Sequence, residues 1–324
     1  MTVIFLHCQD NLPIFADYNQ NQIKTKMKKV FALCIGLMMA VSVFGQSIKV
    51  TPVLKKGQVK TYATTMTVTA AGQTVNISHD NKYTVTKETS DGYEMTVETI
   101  NFKSDGNGEN LLSRLTTLGE EMMKDSKVQI RLDKEGKVLE IINYEDVKAK
   151  SKAAAEKLID ELMAAAPEIS QVINKEQLQE QIMTELTPER LTKSLTISSS
   201  PLALFGLTIT SGMQDTYDNN MVKLKRIWLV TGKKIGASAK TEMTRDDLKA
   251  YILKQVERTA PQQLDMIKDN IDQLLSSGLL KLDVNEKSNY ELGDDLWVKS
   301  LESTLENDMM GQKSSTVVKT QLKN

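Results

Sequence analysis

The sequence predicts an α+β fold, a curved and mainly antiparallel sheet with helices packed on one face. Thr, Val, Tyr and Ile alternate with polar residues over Ser47 to Ser104, the period-two pattern of strands with one buried face. Strand-like segments return after Val222, and between the two lies a stretch with helical spacing. Strands, then helices, then strands again describe one sheet with helices laid over it.

The elements follow in order. Tyr62, Met66 and Val68 share one face of a first long strand, and Ala71-Gly72-Gln73 turns the chain into Thr74–Ile77 and then Lys82–Thr86. Ser78-His79-Asp80-Asn81 between them reads as a polar strand end or turn. Ser90-Asp91-Gly92 turns the chain again into Tyr93–Phe102, because Asp-Gly between alternating runs is a strong hairpin signal. Leu111–Met123 reads as a short helix. Val128, Ile130 and Leu132 alternate into Asp133-Lys134-Glu135-Gly136, and Val138–Ile142 returns as the hairpin partner.

Asn143 stands where a long helix needs its cap, and Val147, Ala154, Leu158, Ile159 and Leu162 form one stripe before Pro167. A second helix is expected over Lys175–Leu186, and Thr187-Pro188 opens a third, with Thr as cap and Pro at the first helical position. Thr244 with Asp247 resembles a capping box before another helix, which Pro261 restarts and Gly278 ends. Strands are expected over Val222–Val230, Lys234–Met243, Leu280–Val284, Leu296–Leu305 and Lys313–Leu322. Ala71-Gly72-Gln73 and Met310-Gly311-Gln312 each join a Thr-rich strand pair, so the two ends are alike in plan.

The front of the chain has the form of a secretory signal over 27–45. Lys28 and Lys29 follow Met27, Val30–Phe44 carries no charge over 15 residues, and Val43-Phe44-Gly45 supplies small residues before a cut at Gln46. An apolar run of that length falls short of the roughly 20 residues a spanning helix needs. Residues 1–26 are a polar preface with no role in such a signal, which predicts initiation at Met27. Cys34 is preceded by Leu33 rather than a small residue, which argues against a lipid anchor.

The leader changes the chemical inventory. Of 41 basic residues four leave with it, and of 42 acidic residues two leave, so the mature net charge is about minus three and is evenly spread. Neither nucleic acid nor anionic lipid finds an electrostatic footprint on such a chain. Cys8 and Cys34, the only two cysteines, both precede the cut, and His79 becomes the one histidine. Most metal chemistry and most acid/base catalysis near neutral pH lose their usual residues, so no cofactor and no metal are expected.

No Gly-x-Ser-x-Gly, P-loop or Gly-x-Gly-x-x-Gly is present. Asp246-Asp247, Asp294-Asp295 and Glu120-Glu121 are adjacent acids, which point apart along a helix or strand, so two convergent carboxylates are not expected of them. Asp105-Gly106-Asn107-Gly108-Glu109 begins like a calcium loop but has Thr116 at its twelfth position. Asp215, Asp218, Asn219 and Asn220 read as a polar turn. Ser198–Ile209, an apolar segment without clean periodicity, is the expected boundary between two lobes of a 46–324 domain, meeting near 198–212.

A sharper expectation starts from that same segment and from the Met-rich, aromatic-poor composition. Leu202, Leu204, Phe205 and Leu207, with Trp228 and Trp297, would line an apolar pocket under a lid, suited to an acyl chain or hydrophobic peptide.

The leader ending Phe44-Gly45-Gln46, the Gly-Gln and Asp-Gly hairpins of Gly57–Phe102, the hairpin Leu132–Val138 feeding a long helix and the closing Gly-Gln hairpin together resemble exported proteins of unknown function from Bacteroidota. The resemblance covers nearly the whole mature chain and implies an envelope or secreted setting, with no activity attached.

The expected function is an exported, non-enzymatic binding or envelope scaffold protein. A periplasmic carrier of a lipid or other hydrophobic ligand is the alternative, and a carboxylate-dependent hydrolase the second. The partner would be a hydrophobic ligand or an envelope protein. Mass spectrometry of the amino-terminal peptide from protein recovered from cells is expected to find a chain beginning at or near Gln46. An intact leader on cytosolic material would overturn the export reading.

Overall fold

The period-two segments pair into one 11-stranded antiparallel sheet in the computed structural model. It describes residues 45–70, 72–106, 127–165, 186–218, 222–259, 264–277, 282–309 and 312–323, with a few positions between 175 and 179. In chain order the strands are β1 (Ser47–Lys49), β2 (Val59–Ala70), β3 (Gln73–Glu88), β4 (Gly92–Ser104), β5 (Lys127–Asp133) and β6 (Val138–Ile141). Helices α1 (Tyr144–Ala165) and α2 (Pro188–Ser194) follow, then β7 (Thr208–Thr210), β8 (Gln214–Asp218), β9 (Lys223–Thr231) and β10 (Lys234–Thr241). The chain continues through α3 (Arg245–Thr259), α4 (Leu264–Ser276), β11 (Leu282–Leu292), β12 (Val298–Met309) and β13 (Gln312–Leu322).

The strand order is β6-β5-β4-β3-β2-β13-β12-β11-β10-β9-β8, with β1 and β7 as a separate pair. Neighbouring strands follow one another in the chain, β10 and β11 by way of α3 and α4, except at the centre, where β13 returns to lie beside β2, from Ser314 opposite Ala70 to Leu322 opposite Tyr62. The two Gly-Gln hairpins, β2/β3 and β12/β13, are therefore side by side at one end of the sheet. Residues 198–212 lie where the chain passes from the half built by β2–β6 to the half built by β8–β13, and the β2/β13 ladder makes those halves one sheet.

Alternation gives the sheet two unlike faces. On the covered face, Tyr62, Tyr83, Val85, Met95, Ile130, Trp228 and Leu301 are buried. They pack with Val50, Leu202, Leu204 and Phe205 and with partly buried Val147 of α1 and Leu191 of α2. Edge-on rings link this core: Tyr62 to Tyr83 at 5.5 Å between centroids, Tyr83 to Trp297 at 6.3 Å and Trp297 to Phe205 at 5.1 Å. Their polar atoms are satisfied, since Tyr62 Oη donates to Val298 O (2.7 Å), Trp297 Nε1 to Val53 O (3.0 Å) and Tyr290 Oη to Ser198 O (2.6 Å). A second core of Val222, Leu224, Ala239, Leu282 and Val284 is closed by Leu248 and Tyr251 of α3.

Local chemistry sets the boundaries. Thr187 Oγ1 accepts from Arg190 N with Pro188 at the helix start, as expected. Thr244 and Asp247 form the reciprocal capping box: Thr244 N donates to Asp247 Oδ2 (2.9 Å) and Asp247 N to Thr244 Oγ1 (3.1 Å). Asn143 does precede α1, but its side chain is spent elsewhere, accepting from Gln129 N (2.8 Å) and donating to Lys127 O (3.0 Å), so it pins β5 instead of capping the helix.

Two expectations change. Ser78–Asn81 is the middle of β3, not its end, and β11 runs on through Leu292, because cross-strand partners extend both ladders beyond their apolar runs. The helix expected over Leu111–Met123, most of that over Lys175–Leu186, and the positions of Pro261 and Gly278 lie outside the described residues.

At the Asp-Gly hairpin a Cβ on Gly92 would sit 2.0 Å from Leu132 O, whereas one on Gly236 in β10 would meet nothing nearer than 3.6 Å. Gly92→Ala is expected to cost about 3 kcal/mol and Gly236→Ala to stay within about 1 kcal/mol, read as shifts in the urea midpoint. Equal midpoints for the two variants would remove the close approach of β4 and β5 as a constraint.

Candidate functional site

The other face of the sheet carries the side chains that alternate outward, and at Thr65, Leu229, Lys319 and Gln321 it is exposed to solvent. Across the strands one row runs Leu229, Gly236, Asn289, Glu302, Lys319 and Thr65, each opposite the next in register. The neighbouring row runs Thr231, Lys234, Glu291, Ser300, Gln321 and Ala63. These rows floor a groove of about 740 Å³ over β9 to β2. A second groove of about 380 Å³, bordered by Thr67, Ser78, Lys103 and Asp105, lies over β2 to β4 and shares Thr65 with the first. The two grooves meet at Thr65, and the trough they make end to end reaches over eight strands, roughly 34 Å at about 4.8 Å per strand.

Most residues lining the trough are polar and their charges balance, while carbon makes up the larger part of its surface. Glu302 pairs with Lys319 at 3.0 Å, and Glu291 with Lys299 at 3.3 Å. Asp105 Oδ1 accepts from Asn76 N (2.7 Å) and Oδ2 from Asn76 Nδ2 (2.8 Å), bonds that hold its carboxyl below the usual range. At the β9 end Leu229 and Ile227 are exposed by 52% and 49%, beside the notch left by Gly236. No groups of three or more His, Cys, Asp or Glu that could hold a metal ion occur among the described residues.

The six residues expected to line an apolar pocket meet in one cluster, but as packing. Leu202, Leu204, Phe205, Trp228 and Trp297 are at most 3% exposed and Leu207 lies partly buried at their margin. They belong to the covered face and do not reach the trough.

The adjacent acids resolve into separate partnerships. Asp247 caps α3, Asp294 pairs with Lys233, and Asp295 with Lys60 at 2.6 Å. Glu120-Glu121 lies outside the described residues. Asp215 belongs to β8 and not to a polar turn: its Oδ1 accepts from Arg226 Nε (3.0 Å) and Trp228 Nε1 (3.0 Å), and its other oxygen from Arg226 Nη2 (2.5 Å). The Arg226 guanidinium is thereby held between the Tyr217 and Trp228 rings, at 4.4 and 4.2 Å from their centroids. Tyr217 Oη donates to the buried Glu286 (2.8 Å), and burial followed by that carboxylate pushes the Tyr217 phenol well up. The cluster is internally satisfied and fixes the β8 edge.

His79 sits at a bulge, where Asn101 and Phe102 of β4 oppose it and Asn101 takes φ 55°. Its ring stacks on Phe102 at 5.7 Å. Thr99 Oγ1 donates to Asn81 Oδ1 (3.0 Å), which turns Asn81 Nδ2 toward His79 Nε2 (3.1 Å) and leaves the imidazole proton on Nδ1. That Nδ1 is buried without a hydrogen-bond partner among the described residues. Asp80 beside it accepts from Asn101 Nδ2 (2.7 Å) and Lys323 Nζ (2.6 Å), and those bonds outweigh burial to hold its carboxyl low.

The sequence matches no known protein family and no curated protein. Among solved structures it is similar to lipovitellin, in a study of its lipid–protein interactions, with 9% identity over 84% of this chain, 26% of that chain and a TM-score of 0.40. The chain thus spans about a quarter of the lipovitellin chain. A Bacteroides fragilis protein of YMCC-like fold, inferred to be exported, matches with 10% identity over 86% of this chain and all of that one, at a TM-score of 0.26. A protein of the dynemicin biosynthesis pathway of Micromonospora chersina matches with 10% identity over 86% of this chain and 84% of that one, at a TM-score of 0.18.

Burial holds His79 below its ordinary value of 6.5, with Asp80 opposing only in part. The native state therefore stays neutral where the unfolded chain takes a proton, so stability is complete above pH 6.5 and falls as pH drops below it. His79→Phe is expected to flatten the urea midpoint between pH 6.5 and 5, above the range where the carboxylates titrate. An unchanged slope would show that the imidazole is no more restricted folded than unfolded.

Proposed function

We propose that the protein is an exported, non-enzymatic binding protein of the bacterial envelope that takes its ligand in the trough on the open face. The observation that carries this reading is the trough itself, a preformed depression within the size range of ligand sites, floored by strands whose backbones are already paired. Its acids are each engaged, Glu302 and Glu291 by lysines and Asp105 by Asn76, which favours holding a ligand over proton transfer. The leader over 27–45 supports the envelope setting. No helix among the described residues is long and apolar enough to cross a membrane.

A second reading, carriage of an apolar ligand beneath residues 198–207, is supported by the gathering of Leu202, Leu204, Phe205, Leu207, Trp228 and Trp297 into one cluster. It requires that segment to leave the sheet, since the cluster is filled by its own side chains. One experiment separates the two. A photo-crosslinking amino acid is placed at Gln321 in the trough, at Leu207 beside the cluster, or at Lys240 outside both, and irradiated in living cells. Adducts are expected at Gln321 and are expected to be lost when Gly236→Trp fills the notch. Adducts confined to Leu207 would favour the carrier, and none above the Lys240 control would sink both.

A further inference from the structure

Resting on that reading of the trough, we infer that its ligand is an extended segment of another polypeptide, carrying both signs of charge and an apolar residue at the end nearest β9. Length sets the scale: roughly 34 Å takes about ten residues of extended chain at about 3.3 Å each. Such a segment would cross the strands, because the strand backbones beneath it are already bonded to one another.

The lining then narrows the chemistry. Lys234, Lys319 and Lys103 stand against Glu291, Glu302 and Asp105, so the trough has no net field to gather a phosphate backbone or an anionic headgroup. Tyr290 borders the floor, yet it is 3% exposed and its hydroxyl reaches Ser198 on the other side of the sheet, so it offers no ring for a sugar to stack on. An acyl chain would find carbon surface here, but it would leave the polar groups of Thr65, Asn289, Glu302 and Lys319 without partners in exchange for water. A peptide meets the opposite case. Thr65, Ser300, Asn289 and Gln321 carry hydroxyl and amide groups that both donate and accept, matching the amide and carbonyl of each residue laid across them.

Gly236 supplies the anchor point. Its missing side chain leaves a notch between Asn289 Oδ1 and Leu229 Cβ, each within 4 Å of where a Cβ would stand. Leu229 forms its exposed apolar wall, among groove side chains that are otherwise mostly polar. One apolar side chain from the ligand would remove that wall from water, while Lys319 and Glu302 read charges farther along.

The test uses the full mature chain and a display library of random twelve-residue peptides. Selection is expected to enrich peptides with one apolar residue near an end and both acidic and basic residues beyond it. A fluorescein-labelled peptide from the selection should bind about tenfold or more weakly to Gly236→Trp. Leu229→Lys should abolish the preference for the apolar end, with urea midpoints of both variants confirming the fold. Enrichment of uniformly basic, uniformly acidic or wholly apolar peptides, or of peptides indifferent to Gly236→Trp, would overturn the inference. So would an empty selection alongside adducts at Gln321 that prove to be lipid or glycan, an outcome that leaves the binding reading standing. No adduct and no enrichment would remove both.

Discussion

The structure depends on the antiparallel ladder between β2 and β13. It joins the first long strand to the last, with Thr64 and Thr320, 256 positions apart, sharing a side-chain hydrogen bond of 3.1 Å. Without that ladder the chain would make two separate meanders, each with an exposed inner edge and half a covered face. Tyr62 of β2 shows what the join accomplishes. Its ring belongs to the aromatic row of one half, its hydroxyl donates to Val298 of the other, and that second interaction exists only with β13 in place between the two strands. A contact of such sequence separation gives nothing until most of the chain is ordered, so the halves are expected to form their hairpins before they are sealed.

Sealing must also fix register, and the covered face contains the means. Between its two apolar cores, Ser288 and Ser303 share a buried hydrogen bond of 2.9 Å, and Thr64 meets Thr320 in the same way. A slip of one residue would turn each of these hydroxyls to the open face and bring the open-face charges Glu302 and Lys319 into the core. Apolar contacts alone tolerate small displacements, whereas a buried hydroxyl without a partner costs about 1–3 kcal/mol. The polar seam therefore trades some hydrophobic burial for a unique pairing. At the two ends of the sheet the problem is different, and there the edge strands are kept short, with Asp215 and Asp218 on β8.

How much of this the sequence displayed depends on the range of the interaction. Alternation and turn chemistry are local, so the strands, the Gly-Gln and Asp-Gly hairpins and the Thr187 and Thr244 caps were readable from a few neighbouring residues. Asn143 misled because two side-chain partners, Gln129 and Lys127, lie across a hairpin that local pattern does not see. His79 read as a turn residue for the same reason: its place in mid-strand is set by Thr64 on one side and a bulge in β4 on the other. The apolar segment 198–207 was legible as unusual, but its neighbours Trp228 and Trp297 could as well have lined a cavity as filled a core. The trough was hidden altogether, since outward polar residues on a strand carry no sign of whether the sheet beneath them is flat or hollow.

That hollow bears on why a sheet of this width can leave part of one face exposed. An open face rich in Val or Ile would aggregate or demand a permanent cover, whereas alternating Lys and Glu with Thr and Ser between them stays hydrated and repels close stacking. A scaffold that held its partners by apolar contact would need a broad patch, yet the exposed apolar residues of this face are scattered, Ile227 and Leu229 on β9, Val59 on β2 and Ile100 on β4. Apolar surface so limited is enough to orient one side chain and too little to glue two proteins together. Ile227 and Leu229 with the same burial would mean little on an isolated convex surface. Beside the Gly236 notch, at the mouth of a depression lined otherwise mostly by polar residues of balanced charge, they would give a bound segment direction, and direction is what separates a site that recognises a sequence from a surface that merely stays soluble.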